Sequence, residues 1–121
     1  MKLLGIDPGI QAWGVAVVDN SAVLLLATFP LRYEPTPYSF LYDTLTNLII
    51  EHNPQVVVCE GTFVNSTAFA HQQAIGIVRA VTERNQVSCH FSPPTHWKKV
   101  LFGKGWMKKR EVVNALTARG Y

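Results

Sequence analysis

Long apolar runs, cysteines and charges are all scarce in this chain of 121 residues. No apolar run approaches the roughly eighteen residues of a membrane-spanning helix, so no membrane span is expected. The only cysteines are Cys59 and Cys89, both in apolar surroundings, and the N-terminus has no signal-peptide pattern. We therefore expect two reduced core thiols in a cytosolic protein, rather than a framework of disulfides.

Charged residues make up only 16% of the sequence, but the basic ones are concentrated near its C-terminal end. The net charge is +3, and six of the eleven basic residues fall between residues 98 and 110. Such a concentration predicts a polyanionic partner, although a charge run is more often only a solvated helix face. We call this group the basic cluster, and it comprises Lys98, Lys99, Lys104, Lys108, Lys109 and Arg110.

The chain opens with an apolar run that ends on the carboxylate of Asp7 and is followed at once by a Pro-Gly turn. A charge at the end of a buried strand is costly without a partner, and a cation is the obvious partner. The alternative is a hairpin corner in which Asp7 only bonds turn amides. A second carboxylate favours the cation, because Glu60 ends the other strongly apolar run and precedes Gly61.

Apolar periodicity and turn residues predict five strands and four helices. Three strands joined by tight turns are expected to be antiparallel, and a helix then leads to a fourth strand, covered on both faces and parallel to the first. The sequence thus predicts an α/β fold with a mixed five-stranded sheet, and both carboxylates fall at strand ends on one edge if the first and fourth strands are parallel neighbours. The strands are expected at 2–7, about 13–18, about 22–29, 56–60 and 87–91, and the helices at 36–53, about 66–84, between Ser92 and Gly103, and about 106–119.

Two carboxylates that converge at strand ends suit a hard cation such as Mg²⁺, which takes one or two protein carboxylates with waters and phosphate oxygens. Two such ions about 3.5 to 4 Å apart can promote phosphodiester hydrolysis. A two-ion site needs more acids, and no further acid presents itself. Asp19 ends a strand of the opposite direction, while Glu83 and Glu111 lie on predicted helices.

Two features distinguish the basic cluster from an ordinary solvated face. Residues 108–110 are expected at the start of a helix, where cations oppose the helix dipole unless an anion binds. Trp97 and Trp106 interleave with the lysines, as where bases stack beside phosphate contacts, although either ring could equally be core. Phe63, in the polar stretch after Glu60, is either a wedge between bases or a ring folded back onto the core.

Together these residues resemble the RuvC family of Holliday junction resolvases, which are RNase H-like nucleases. The segment 5–9 with Gly14 is similar to the family's first motif, and the segment 60–63 is similar to its second. The segment 73–76 resembles part of the family's dimer helix. Lys98 and Lys109 stand eleven residues apart around a glycine-containing turn, where the family has two catalytic lysines.

The resemblance implies a Mg²⁺-dependent endodeoxyribonuclease, with Mn²⁺ as the alternative ion, that resolves four-way junctions in DNA recombination and repair. It implies catalytic roles for four residues: Asp7 and Glu60 would hold the metal, while Lys98 and Lys109 would act at the scissile phosphate. It further implies a homodimer formed through the 66–84 helix, in the cytoplasm of a bacterial cell or a phage-infected host. The expected DNA contacts are Phe63, Lys99, Lys104, Trp106, Lys108 and Arg110.

The chain departs from the family pattern at its C-terminal end. The family has a further helix with its last acidic ligands, whereas this sequence stops at Tyr121. We therefore expect one RNase H-like nuclease domain over residues 1–121 that is C-terminally incomplete. A catalytically incomplete module that binds branched DNA is the alternative function. A fragment of an ATP-binding kinase-like fold would need a second glycine-rich loop with an acid, which the sequence lacks.

Overall fold

The computed structural model describes residues 1–9, 11–20, 22–61 and 69–120, leaving aside the side chains of residues 70, 95, 97, 100 and 101. Five strands and four helices alternate along these ranges in the predicted order. They are β1 (Lys2–Asp7), β2 (Ala12–Asp19), β3 (Ala22–Pro30), α1 (Pro37–His52), β4 (Val56–Glu60), α2 (Phe69–Arg84), β5 (Ser88–Ser92), α3 (Pro94–Phe102) and α4 (Lys109–Ala118).

The five strands form one mixed sheet in the order β3-β2-β1-β4-β5. β1 pairs antiparallel with β2, and β2 with β3, because tight turns join them. β4 pairs parallel with both β1 and β5, because a helix precedes and follows it. The predicted fold class is therefore confirmed, and the carboxyl ends of β1 and β4 lie side by side at one edge of the sheet.

The core lies on one face of the sheet, against α1 and α2. The predicted apolar face of α1 is buried, while Asp43 and Glu51 on the same helix are exposed, as expected. Fully burying a leucine or isoleucine side chain, such as those on this face of α1, stabilises the fold by about 1.5 to 3 kcal/mol. The core side chains include Leu4, Ile6, Trp13, Val15 and Val17 of the sheet, Leu41, Leu45, Leu48 and Ile49 of α1, and Ala74, Val78 and Val81 of α2.

The start and end of α1 follow its sequence signals with one difference. Pro37 occupies the first turn, and the Thr36 carbonyl accepts a 3.0 Å hydrogen bond from the Phe40 amide, but the Thr36 side chain makes no cap hydrogen bond. At the other end Asn53 adopts a left-handed conformation with φ 48°, and its amide donates to the Ile49 carbonyl at 2.8 Å. The turn directs the chain into β4.

Three boundaries or faces differ from the prediction. β5 begins one residue late, at Ser88, and α4 begins at Lys109 rather than Trp106, because Lys108 is extended with φ −73° and ψ 156°. β4 is buried on one face only: Val57 and Cys59 enter the core, whereas Val58 lines a groove on the other face. Consecutive apolar residues predict a strand that is covered on both faces, but one face of β4 forms part of the floor of that groove.

The C-terminal helices contact each other through their ends. The Arg119 guanidinium lies 4.9 Å from the ring centroid of Phe102, and Val112 of α4 is buried.

Both cysteines are free thiols, as predicted, with Cys59 buried and Cys89 half-buried. Within the part of the chain that the structure describes, no helix has the length and apolar character needed to cross a membrane.

Candidate active site

Asp7 is the last residue of β1, and the Pro8-Gly9 turn after it exposes its carboxylate. A side chain on Gly9 would overlap the carbonyl oxygen of Ala12, so this tight turn needs glycine. Asp7 is paired across the strands with Gly14, where an added methyl group would stand 3.7 Å from the Asp7 Cβ. Gly14 therefore keeps the space beside the carboxylate open.

Glu60 is the last residue of β4 and is half-buried. The parallel register pairs Ile6 with Cys59, so the next residues, Asp7 and Glu60, follow side by side on the opposite face from the core. On its other flank Glu60 is paired with Ser92 of β5, whose carbonyl accepts a 2.9 Å hydrogen bond from the amide after Glu60. The predicted pairing of the two strand-end acids is thus what the sheet produces.

Both carboxylates line a groove of about 770 Å³ on the sheet face opposite the core. Its floor is low because Gly5, Gly14 and Ala16 project little or no side chain into it. A groove with small residues along its floor and two acids at one end leaves room for an extended polar ligand beside the carboxylates.

The pKa of the Cys59 thiol depends in part on the negative charges at this edge of the sheet. Burial, the neighbouring Cys89 thiol, and the Asp7 and Glu60 carboxylates together raise the pKa of Cys59 from 9.0 to about 12. Burial also raises the pKa of Cys89. Both carboxylates therefore stand close enough to the same buried sulfur to affect its ionisation, which agrees with their adjacent positions.

The two carboxylates are of the ligand type that a hard cation takes. Mg²⁺ typically takes one or two protein carboxylates and completes its octahedron with waters and phosphate oxygens, which an open groove admits. Among the described residues, no group of three or more His, Cys, Asp or Glu side chains is placed to hold a metal ion. Asp7 and Glu60 are the described acids whose positions on the groove would suit such an ion.

The two predicted catalytic lysines lie on the C-terminal helices and are not among the residues that line the groove. Lys98 of α3 is half-buried, and its Nζ donates a 3.0 Å hydrogen bond to the Met107 carbonyl. Lys109 is the first residue of α4 and is exposed. The bond from Lys98 thus links α3 to the residues just before Lys109.

The other cations of the basic cluster are exposed, as nucleic-acid contacts must be. No side chain caps the start of α4. Lys108, Lys109 and Arg110 lie there, and the first turn of the helix also contains one acid, Glu111. Trp106 is 74% exposed rather than core, and the Lys104 Nζ lies 5.6 Å from its ring centroid. The predictions for Phe63 and for the Trp97 side chain fall outside the described residues.

Two residues that line the sites were not singled out from the sequence. Ser92 lines the groove beside Glu60. Because it ends a strand parallel to β4, that position could have marked it as a groove residue. His96, treated as an ordinary residue because it lacks metal-ligand spacing, lines a second pocket beside Lys99 and Lys104. No short-range pattern marks that role, since it depends on how the turn after α3 folds back.

The fold and the strand-end carboxylates together define an RNase H-like protein. The family model described as "Crossover junction endodeoxyribonuclease RuvC" matches residues 3–118, and the chain belongs to that family. A protein named "Crossover junction endodeoxyribonuclease RuvC" from Mycobacterium sp. (strain KMS) is 24% identical over 97% of this chain and 69% of its own length.

Solved structures agree with this assignment. The Thermus thermophilus RuvC structure has a TM-score of 0.79 and 26% identity, and the match covers 99% of this chain and 79% of that one. The T. thermophilus RuvC in complex with Holliday junction substrate has a TM-score of 0.71 and 22% identity, covering 82% and 70%. At that identity the second likeness bears on the fold alone.

Proposed function

We propose that this protein is a metal-dependent endodeoxyribonuclease that resolves four-way DNA junctions in recombination and repair. The observation that supports it most is the pair of carboxylates, Asp7 and Glu60, at adjacent strand ends on one groove. Membership of a family described as crossover junction endodeoxyribonucleases supports the reaction, and the T. thermophilus relative was solved with a Holliday junction.

In the proposed reaction Asp7 and Glu60 hold a divalent cation, Mg²⁺ or Mn²⁺. When bound, such an ion promotes attack of water on a phosphodiester and offsets the charge that develops on the phosphate. The groove receives the DNA strand, and its low floor beside Asp7 lets the backbone approach the carboxylates. Asp7 and Glu60 would hold the ion as its protein ligands, and an ion held by so few acids would remain open to phosphate oxygens.

Lys98 and Lys109 are proposed to act on the scissile phosphate from the C-terminal helices. The Lys98 ammonium donates a hydrogen bond to the Met107 carbonyl. That bond also restrains the chain just before Lys109. The remaining exposed cations position the DNA through its phosphates, which carry no sequence information.

The test compares an end-labelled four-way junction with a linear duplex of the same arms, each with Mg²⁺, Mn²⁺ or EDTA. Paired nicks confined to the junction and abolished by EDTA are the expected result. Glu60→Gln removes a carboxylate from the groove and is expected to abolish the nicks, whereas Glu51→Gln, the same change on an exposed face of α1, is expected to retain them. Junction binding with no nicks under any metal condition would contradict the proposal.

We further propose that the protein acts as a homodimer through α2. One exposed stripe of this helix carries Phe69, Gln72, Gly76, Ala80 and Glu83, and small residues at its centre permit close approach of a second helix. Ala80→Glu is expected to give a monomer in sedimentation analysis and uncoordinated single nicks. Asn47→Glu, an equivalent exposed change on α1, is expected to stay dimeric; a monomeric unmodified protein would contradict the proposal.

The proposed substrate also suggests where the protein acts. Because the substrate is branched DNA, we propose that the protein works in the cytoplasm of a bacterial cell or of a phage-infected host. The mycobacterial origin of the relative described above supports the bacterial setting.

A further inference from the structure

A second pocket, separate from the carboxylate groove, lies between α3 and the turn that follows it. It has a volume of about 580 Å³, within the range of small-ligand sites. Its lining combines two lysines, a histidine and a tryptophan with glycines and a proline. Chemically it offers positive charge and one large aromatic face. Its residues used below are His96, Lys99, Gly103, Lys104 and Trp106.

The turn that forms this pocket is fixed at both ends. At one end Gly103 ends α3 with φ +78°, a conformation that strains other residues, and its amide donates to the Lys99 carbonyl at 2.8 Å. At the other end the Lys98 ammonium bonds the Met107 carbonyl at 3.0 Å. Lys104 and Trp106 therefore stand on a short segment whose backbone is restrained at each side.

The side chains of the pocket are arranged for an aromatic anion. Trp106 exposes 74% of its surface although a large aromatic ring gains most from burial. The Lys104 ammonium lies 5.6 Å from the indole centroid, and Lys99 is exposed on the same pocket. A nucleotide supplies both complements, because its base has a face for the indole and its phosphate attracts the lysines.

The geometry favours an unpaired nucleotide over duplex DNA. Bases inside a duplex have both faces covered by their neighbours, so they offer no free face to Trp106. An unstacked nucleotide, at a strand end or at the crossover of a branched DNA, does offer one. We propose that this pocket binds one unpaired nucleotide of a DNA strand, with its base stacked on Trp106 and its phosphate held by Lys99 and Lys104. The inference deepens the proposed function, on which it rests.

The test measures how much of the binding depends on the base. Fluorescence anisotropy compares a labelled oligothymidylate of about eight nucleotides with an abasic strand of equal length and phosphate count. The unmodified protein is expected to bind the thymidylate more tightly. Trp106→Ala is expected to weaken that binding about tenfold and leave the abasic strand nearly unaffected, whereas Trp106→Phe keeps most of the preference. Lys104→Gln is expected to weaken both strands alike.

The matched control is Tyr33→Ala. Tyr33 is another exposed ring with a cation nearby, 5.5 Å from the Arg32 guanidinium, but it does not line the pocket. Its loss is expected to leave the preference for the base unchanged. The inference is overturned if the unmodified protein binds both strands equally, or if Trp106→Ala weakens both strands by the same factor.

The junction assay separates this inference from the proposed function. Nicking of a fully paired junction by a protein whose preference for the base survives Trp106→Ala would overturn only the pocket. Loss of that preference in Trp106→Ala, in a protein that never nicks junctions, would support the pocket and overturn the resolvase proposal.

Discussion

The start of α4 gives a quantitative prediction about how salt affects DNA binding. Lys108 and Arg110 are exposed there, and no side chain caps the helix, so backbone amides and cations point at the same solvent. If both side chains contact phosphates, replacing them with glutamine removes two counterion-releasing contacts. The slope of log K against log salt then becomes shallower by about 1.8, which is roughly a twelvefold smaller affinity change between about 50 and 200 mM salt.

The assay is the anisotropy of a labelled four-way junction titrated in EDTA, so that binding is measured without cleavage. The matched control is Lys2→Gln with Arg84→Gln, which removes the same net charge at the opposite edge of the sheet, where β1 begins and α2 ends. The control slope is expected to equal that of the unmodified protein. Equal slopes for all three proteins, or an equal change in both double variants, would refute the reasoning.

Three further predictions concern the core, the two thiols and the Pro8-Gly9 turn that follows Asp7. Leu41→Ala, in the core of α1, is expected to lower the free energy of unfolding by about 3 kcal/mol and the melting temperature by roughly 10 °C. Ile50→Ala on the same helix, where the side chain is 69% exposed, is expected to change the free energy of unfolding by less than about 0.5 kcal/mol; equal losses in calorimetry would contradict this account of the core. Because its pKa is raised to about 12, Cys59 is expected to resist iodoacetamide near neutral pH until the chain unfolds, and rapid labelling of the native protein in peptide mass spectra would be inconsistent with it. Cys89, half-buried, is expected to react first. Gly9→Ala is expected to displace the turn after the first carboxylate and slow junction cleavage at least tenfold with binding retained, so unchanged cleavage rates would rule out the tight turn described above.

Much of the fold followed from local patterns that the tertiary structure left intact. The helical spacing of Leu41, Leu45 and Leu48 required one buried face, and the sheet supplied the surface against it. Tight turns fixed the antiparallel strands, and the crossover rule made β4 parallel, but neither rule decides that β4 pairs with β1, as it does in the sheet. Both acids end their strands, so the sequence predicted that they would meet if β1 and β4 were parallel neighbours, and the observed pairing of those strands brings Asp7 and Glu60 together.

The remaining features depend on contacts between distant or conformationally special residues. The sequence predicts a helix from about Trp106, but Lys108 has an extended backbone, so α4 begins at Lys109. The hydrogen bond from Lys98 to the Met107 carbonyl, and the one from the Tyr38 hydroxyl to the Gln73 side chain at 2.6 Å, have no periodic signature. The second pocket depends on how the turn after α3 folds back against that helix, which no periodic pattern in the sequence marks.

In the proposed reaction, the carboxylates at the ends of β1 and β4 would hold the metal that cleavage of DNA junctions needs. Asp7→Asn tests it most directly, because the amide keeps the size of the side chain and removes its charge. Asp43→Asn on the exposed face of α1 is the matched control. Asp7→Asn is expected to bind the four-way junction with unchanged affinity in EDTA and to form no nicks with Mg²⁺ or Mn²⁺, while the control cleaves normally. Junction cleavage by Asp7→Asn at the unmodified rate would contradict the account.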